Sequence, residues 1–199
     1  NSSFVIDYCA LLNFARCGQL GLLSALGKKI KASEELLFDV QKDLALCEKQ
    51  ILRDAWDFLR KGEVEIFPRH KKSEDQKSPS ESIKKSFSDH KWLIESMIYC
   101  MNNDAVFLTD DWRLIGLMKS EDIGVKSVNS FIFFQAGLEK SLLDRKQYSL
   151  ALGELAGLFF HFIPFNGEDF LNIVLDDNNR IKNHTIPFGK NLKQNPSLE

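Results

Sequence analysis

The sequence predicts an α/β protein, a three-layer sandwich in which helices cover both faces of a mostly parallel central sheet. Three observations support this fold class. Short apolar or alternating runs such as "FVI", "EVEIF" and "AVFL" are separated by longer segments whose apolar residues recur at helical spacing. Several of these runs are wholly apolar, which is typical of strands buried on both faces of a parallel sheet. At 199 residues the chain is long enough to bury such a sheet between two helical layers.

The first half of the chain is predicted to contain three strands with helices between them. Phe4–Ile6 forms the first strand, followed by a helix, a break near Gly18 and a second helix that ends at Gly27. The segment "KKIKA" is the second strand. Ser33 is a natural N-cap, and residues 34–60 keep a helical period, as one long helix or as two that follow closely. The alternating "EVEIFP" ends at a proline and suits a third strand.

A polar segment, residues 69–88, follows the third strand. It is rich in lysine and serine and buries too little apolar surface to offset its ordering entropy, so we expect a mobile surface loop. Its basic excess has two interpretations, simple solvation or contact with phosphate groups.

The second half of the chain continues the alternation. "SDHKWLIESMIYC" predicts a helix with Ser88 or Asp89 near its start, "AVFLTD" a strand, "DWRLIGLMKSE" a helix, "GVKSV" a strand and "NSFIFFQAGLEK" a helix. We expect residues 1–137 to form one domain. Residues 138–199 are predicted to be a C-terminal helical extension packed on it, because this tail is too apolar to be disordered.

Composition argues against zinc-binding and membrane-spanning proteins but does not indicate a function. The net charge of −2 and the pI of about 6.1 give no overall basic field, so charge neither predicts nor excludes a nucleic-acid partner. The four cysteines lack a C-x-x-C pair, which argues against a zinc site and indicates reduced thiols. No run approaches the ~18 apolar residues of a membrane span, and the opening "NSSFVID" does not resemble a signal peptide. We therefore expect a cytoplasmic protein that does not associate with membranes.

Acidic residues fall where a parallel sheet would bring them together. Asp7 follows the first strand, and Asp110 and Asp111 follow the "AVFLT" strand. The carboxyl ends of parallel strands share one edge of the sheet, where loops and helix N-termini form ligand sites. Asp39, in the first turns of the long helix, and Asp89, at the start of a later helix, would add two more carboxylates to that edge.

Each of these acids also has a purely structural interpretation. Asp7 suits a solvent-facing turn, and Asp39 suits the exposed face of a charged helix. Asp89 is a natural N-cap, and Asp110 or Asp111 would equally cap the helix that follows them. The functional interpretation therefore depends on all of them meeting at one edge.

Several carboxylates at one edge repel one another, which raises their pKa values and weakens the fold unless a cation offsets the charge. A set of oxygen ligands with room for water and a phosphate suits Mg²⁺ or Mn²⁺ rather than Zn²⁺. Such an ion activates water and binds the oxygens of a phosphodiester. The pattern therefore predicts metal-dependent hydrolysis of a nucleic-acid backbone.

Other catalytic patterns fit the sequence poorly. "GLLSALGKK" lacks the preceding strand and the hydroxyl residue of a phosphate-binding P-loop. The haloacid-dehalogenase phosphatases also begin with a strand and an aspartate, but their second acid falls at Cys9 here. The sequence has no G-x-S-x-G, and its histidines show no partner spacing.

Four segments resemble motifs of the PIN domain family of metal-dependent ribonucleases. "FVIDYCALLNFARCGQLGLL" is similar to the family's opening strand, aspartate and helix, and "KASEELLFDV" to its second motif. "SDHKWLIESMIYC" looks like its acidic helix start. "VFLTDDWRLIGLMKSEDIGVKSV", the most specific segment, resembles its Leu-Thr-x-Asp motif followed by a helix and a short strand. The likeness spans roughly Phe4 to Phe134.

The resemblance implies a metal site. Asp7 matches the first metal-binding acid of the family, Asp89 the third, and Asp111 the aspartate of Leu-Thr-x-Asp. Asp110 occupies the variable position of that motif and is expected to be a further ligand. The implied cofactor is Mg²⁺ or Mn²⁺.

The resemblance also implies the rest of the active site. Asp39 stands where the family commonly has glutamate and would complete the catalytic acids, with Asp43, one turn on, as the alternative. Thr109 is the motif threonine, expected to orient an acid or a phosphate by its hydroxyl. Trp112 follows directly and is expected to border the substrate.

The implied activity is cleavage of RNA by an endoribonuclease. The chain would be either the toxin of a toxin–antitoxin pair, bound by an antitoxin protein, or a stand-alone RNA-processing enzyme, and a homodimer is a family expectation. Two alternatives stay open. One is a non-catalytic PIN-like module that binds RNA or protein, suggested by Asp39 in place of glutamate. The other is a 5′-nuclease-like enzyme that acts on DNA.

Overall fold

A five-stranded parallel sheet forms the centre of the fold. The computed structural model of the chain describes residues 3–26, 29–70 and 76–157. All of the strands are parallel, in the order β3-β2-β1-β4-β5. Their bounds are β1 Phe4–Ile6, β2 Ile30–Ser33, β3 Val64–Phe67, β4 Val106–Leu108 and β5 Ser127–Val128. The predicted α/β class with a parallel central sheet is confirmed.

Helices between the strands flank the sheet, as in a three-layer sandwich, and two further helices of the described chain follow β5. Their bounds are α1 Tyr8–Arg16, α2 Leu20–Ala25, α3 Glu34–Leu46, α4 Gln50–Arg60, α5 Glu81–Ser86, α6 Lys91–Asn103, α7 Trp112–Ser120, α8 Ser130–Glu139 and α9 Arg145–Gly157. Helix α6 packs against β1, β2 and β4, while α1 packs against α4. No helix in these described ranges is long and apolar enough to cross a bilayer.

The two central strands carry the core. Val5 and Ile6 are adjacent in β1 and both fully buried, and the same holds for Phe107 and Leu108 in β4. Because successive residues of a strand point to opposite faces, burial of both members of each pair requires cover on both faces. Each such side chain contributes roughly 1.5–3 kcal/mol. The wholly apolar runs of the sequence are therefore buried on both faces of the sheet, as predicted.

Helix boundaries in the first half follow local chemistry. The Ser33 hydroxyl accepts a hydrogen bond from the backbone N–H of Leu36 at 3.2 Å and starts α3. The 34–60 segment is two helices, because Cys47 adopts an extended conformation between α3 and α4. Gly18, with φ of +65°, separates α1 from α2 in a conformation that glycine adopts without strain. The predicted cap at Gly27 lies outside the described residues.

A short helix lies inside the segment predicted to be a loop. Helix α5 follows Ser80, whose hydroxyl accepts from the Ile83 N–H at 3.4 Å, and Ile83 is buried. The expectation of a loop throughout 69–88 was therefore wrong for α5. One capping serine and one buried isoleucine suffice to hold a single helical turn in a polar sequence. Residues 71–75 lie outside the described part of the chain.

Helix α6 begins at Lys91, so Ser88 and Asp89 lie near its start as predicted. Its N-cap is His90, and Asp89 lies exposed in the preceding turn, so the interpretation of Asp89 as the N-cap was wrong. The backbone N–H of His90 donates to the carbonyl of Phe87 at 2.9 Å, which closes a turn around Asp89 and delays the helix.

The chain divides into two compact units after Ser130. In the second unit, Asp144 and Gln147 form a reciprocal cap at the start of α9. The Asp144 N–H donates to Oε1 of Gln147 at 2.9 Å, and the Gln147 N–H donates to Oδ1 of Asp144 at 2.7 Å. Beyond Gly157, the predicted extension over 138–199 lies outside the described residues.

Candidate active site at the carboxyl edge of the sheet

The strand order creates a crevice beside β1. From β1 the chain passes to β2 on one side and later returns to β4 on the other. The loops that follow β1 and β4 therefore leave the sheet in opposite directions and open a gap between them, and ligands of open α/β sheets bind at this kind of switch point. Asp7 directly follows β1, and residues 109–111 directly follow β4.

Asp7 is a fully buried carboxylate at this point. Its Oδ1 accepts from the Ala10 N–H at 2.6 Å and caps α1, and its Oδ2 accepts from the Thr109 hydroxyl. Burial raises the pKa of Asp7 from 3.8 to about 8; the two hydrogen bonds oppose this rise, and the charges of Asp110 and Asp111 add to it. The two hydrogen bonds thus fix the orientation of the Asp7 carboxyl group, while its raised pKa shows that its ionised form is disfavoured in these surroundings.

Thr109 joins the loop after β1 to the loop after β4. The residue is fully buried, its hydroxyl donates to Asp7, and the same oxygen accepts from the Asp111 N–H at 3.1 Å. One side chain therefore fixes the position of two of the acids.

Asp110 points into the fold. Only 7% of the residue is exposed, its Oδ1 accepts from the Ser130 N–H at 2.8 Å, and its Oδ2 accepts from Nδ2 of Asn13 at 2.8 Å. Burial raises its pKa, and these two hydrogen bonds oppose the rise. The prediction did not include Asn13 or Ser130. An amide among the apolar residues of "CALLNFA" is the one sequence signal that points to Asn13.

Asp111 is the N-cap of α7. Its Oδ1 accepts from the N–H groups of Arg113 at 2.9 Å and Leu114 at 3.2 Å. In the described chain its Oδ2 accepts no hydrogen bond, and the residue is half-buried, so this oxygen remains available to a ligand.

Trp112 and Arg113 lie next to the acids at the start of α7. Trp112 is 71% exposed, and the guanidinium carbon of Arg113 is 5.6 Å from the centre of its indole ring. An exposed aromatic ring with a cation beside it is suited to stacking with a nucleic-acid base and to phosphate contact.

Asp39 belongs to a separate polar group on α3. Tyr8 donates a hydrogen bond to Asp43. Burial raises the pKa of Asp39, as does Asp43, while Lys42 and Lys91 oppose the rise. Tyr8 follows Asp7 in the chain, so this group lies beside the buried acid without sharing a hydrogen bond with it.

Asp89 is exposed in the turn before α6. The structure links Asp7 and Asp111 through Thr109, and the charges of Asp110 and Asp111 both raise the pKa of Asp7.

The donor chemistry of the gathered acids fits a hard divalent cation. The set consists of carboxylate oxygens, which Mg²⁺ and Mn²⁺ prefer. Within the described ranges no three His, Cys, Asp or Glu side chains are positioned to hold an ion together. Mg²⁺ does not require three, because it commonly keeps several waters and binds one or two carboxylates plus substrate phosphate oxygens.

No family model matches the chain, and no curated protein matches it. The function must therefore be argued from the geometry of the switch point and the chemistry of the residues there.

Proposed function

We propose that the chain is a Mg²⁺- or Mn²⁺-dependent endoribonuclease of the PIN-like type. The observation that carries the proposal is the buried carboxylate of Asp7, beside Asp110 and Asp111 at the topological switch point. A carboxylate with a raised pKa and like charges around it destabilises the fold at neutral pH. Strongly perturbed acids of this kind cluster at functional sites.

The residues of the site have distinct roles in this proposal. One or two carboxylates of the group Asp7, Asp110 and Asp111 would supply the metal ligands, Asp111 through its Oδ2, and Thr109 positions Asp7 through its hydroxyl. When bound, a divalent cation offsets the carboxylate charges, activates water and polarises the scissile phosphate. Asp39 and Asp89 remain predicted contributors from the neighbouring helices, to be tested by substitution.

Trp112 and Arg113 support an RNA substrate. A base stacked on an exposed indole ring stabilises binding by roughly 1–3 kcal/mol with little dependence on its identity. The Arg113 guanidinium beside the ring would contact the backbone phosphate. Unpaired bases are accessible for such stacking, so a single-stranded region of RNA is the expected substrate.

The decisive experiment compares two matched Asp→Asn variants. Asp7→Asn should abolish Mn²⁺-stimulated cleavage of a labelled single-stranded RNA. Asp104→Asn is the control, because Asp104 precedes β4 at the opposite edge of the sheet, is exposed, and has the left-handed conformation that asparagine also adopts. Equal cleavage by the two variants would refute the proposal, as would cleavage that survives a chelator.

A non-catalytic binding module is the second candidate. It is favoured by one observation: every side-chain oxygen of Asp7 and Asp110 already accepts a hydrogen bond within the fold. Calorimetric titration with Mn²⁺ separates the two candidates. Binding that Asp111→Asn weakens supports the enzyme, whereas absent metal binding together with RNA binding in the presence of a chelator supports the module.

A further inference from the structure

A cavity of about 520 Å³ lies on the β3 side of the same fold. Its walls come from the residues that follow β3, from α5 and the turn after it, and from the first half of α6. Its size falls in the range of roughly 300–1,000 Å³ that is usual for small-ligand pockets. None of the acids of the candidate active site lines it.

Three cations, Arg69, Lys84 and Lys91, and two acids, Glu81 and Glu95, line this cavity. Lys84 forms an exposed ion pair with Glu81 at 2.7 Å, which leaves two of the three N–H donors of its ammonium group for an anion. Arg69 is largely exposed, and its guanidinium lies 3.6 Å from Glu95 and 3.9 Å from Glu35, which is too far for good hydrogen bonds. Its fork of donors is therefore suited to a phosphate group.

The inner wall combines apolar side chains with one buried acid. Phe87, Ile94 and Ile98 supply apolar surface. Glu95 is 8% exposed, and its Oε2 accepts from both the backbone N–H and Nδ1 of His70, at 2.8 and 2.9 Å. These two bonds hold the carboxylate in one orientation and leave Oε1 to face Arg69 and the cavity.

The cavity and the candidate active site share one edge of the sheet. Arg69 and His70 follow the carboxyl end of β3, as Asp7 follows that of β1, with only β2 between these strands. Lys91 lines the cavity and also lowers the pKa of Asp39, so it lies between the cavity and the polar group on α3. A single-stranded RNA that lies across this edge would contact both the cavity and the candidate active site.

We infer that this cavity binds one nucleotide of a single-stranded RNA beside the cleavage point, an inference that rests on the proposed ribonuclease function. Arg69, Lys84 and Lys91 bind the phosphate. The base lies against the apolar wall, and its ring N–H or amino group donates to the oriented carboxylate of Glu95. An acidic peptide would use the cations but would gain nothing from the buried acid.

The test measures RNA binding without catalysis. Fluorescence anisotropy with a labelled single-stranded oligonucleotide is recorded in chelator for the wild type, Arg69→Ala, Lys84→Ala and the double variant. Arg53→Ala is the matched control, because Arg53 is exposed on α4 and does not line the cavity. We expect each single variant to lower the salt dependence by about one unit and the double variant to weaken binding roughly tenfold.

Two results would overturn the inference. One is an affinity of the double variant equal to that of Arg53→Ala, with unchanged melting temperatures showing that both are folded. The other is equal competition by poly-glutamate of matched charge, which would assign the cavity to acidic peptides. A mononucleotide that competes only at far higher concentration than the oligonucleotide identifies RNA, rather than free nucleotide, as the occupant.

Failure of this inference and failure of the proposed function give different results. If Arg69→Ala and Lys84→Ala keep the wild-type KM for cleavage, the cavity is not a substrate subsite, but the proposed ribonuclease function is still supported. If RNA binding depends on Arg69 and Lys84 but no Mn²⁺-dependent cleavage occurs, the cavity is an RNA-binding site and the proposed nuclease function is refuted.

Discussion

Replacing Asp7 by asparagine should make the stability of the protein less sensitive to rising pH in the absence of metal. Asparagine caps a helix as well as aspartate does, so α1 keeps its cap, but the Thr109 hydroxyl loses the acceptor Oδ2, which lowers stability by roughly 1–3 kcal/mol at every pH. The folded-state pKa of Asp7 is about 8 against an ordinary 3.8, so the folded protein holds this proton more tightly than the unfolded chain. Stability of the wild type therefore falls as the pH rises between these two values, and the full shift sets an upper limit of roughly 6 kcal/mol.

The assay is denaturant unfolding of the wild type and Asp7→Asn in chelator, from about pH 5 to about pH 9. We expect the stability of the variant relative to the wild type to increase with pH, by at least about 1 kcal/mol between the two ends of the range. Mn²⁺ added near pH 8 should raise the stability of the wild type and leave the variant unchanged, since the cation binds only the charged site. A difference between the proteins that stays constant across the pH range would refute the reasoning.

Three further substitutions test the neighbouring contacts. Thr109→Val should cost roughly 1–3 kcal/mol in chemical denaturation, because it leaves the buried Asp111 N–H and an Asp7 oxygen without a partner, whereas Thr109→Ser should recover most of the loss. Asp110→Asn should cost a similar roughly 1–3 kcal/mol, since one amide cannot accept from both the Ser130 N–H and Asn13. Trp112→Ala should change stability by less than about 0.5 kcal/mol, because the ring is exposed, but weaken binding of single-stranded RNA in anisotropy by roughly 1–3 kcal/mol.

The acids at the strand ends could be predicted because a parallel sheet leaves little freedom there. Once the apolar runs before Asp7 and Asp110 are taken as parallel strands of one sheet, their following residues must lie at one edge. The prediction needed no knowledge of how the helices are oriented. Within each strand, the two-residue period of the side chains also tells which residues share a face of the sheet.

Acids on helices could not be placed in the same way. A helical period tells which residues share a face, but the rotation of that face toward the sheet depends on packing and on where the helix starts. Asp89 shows the difficulty, because the turn closed by His90 and Phe87 shifts the start of α6 and leaves this acid exposed. Asn13 and Ser130 were missed for a related reason, since their contacts with Asp110 join distant segments.

The choice of capping residues in this fold argues that the acids at the switch point do more than cap helices. Elsewhere the side-chain caps are of both kinds: Ser33 starts α3 after β2, Ser80 starts α5, and Asp144, which is exposed, caps α9. At the two junctions that border the switch point, after β1 and β4, the caps are Asp7 and Asp111. Serine and aspartate cap a helix about equally well. Capping explains an exposed aspartate such as Asp144, but it leaves unexplained why Asp7 is buried at a cost to stability and why further carboxylates lie close enough to raise its pKa. A divalent cation recruited to that crevice would account for both facts.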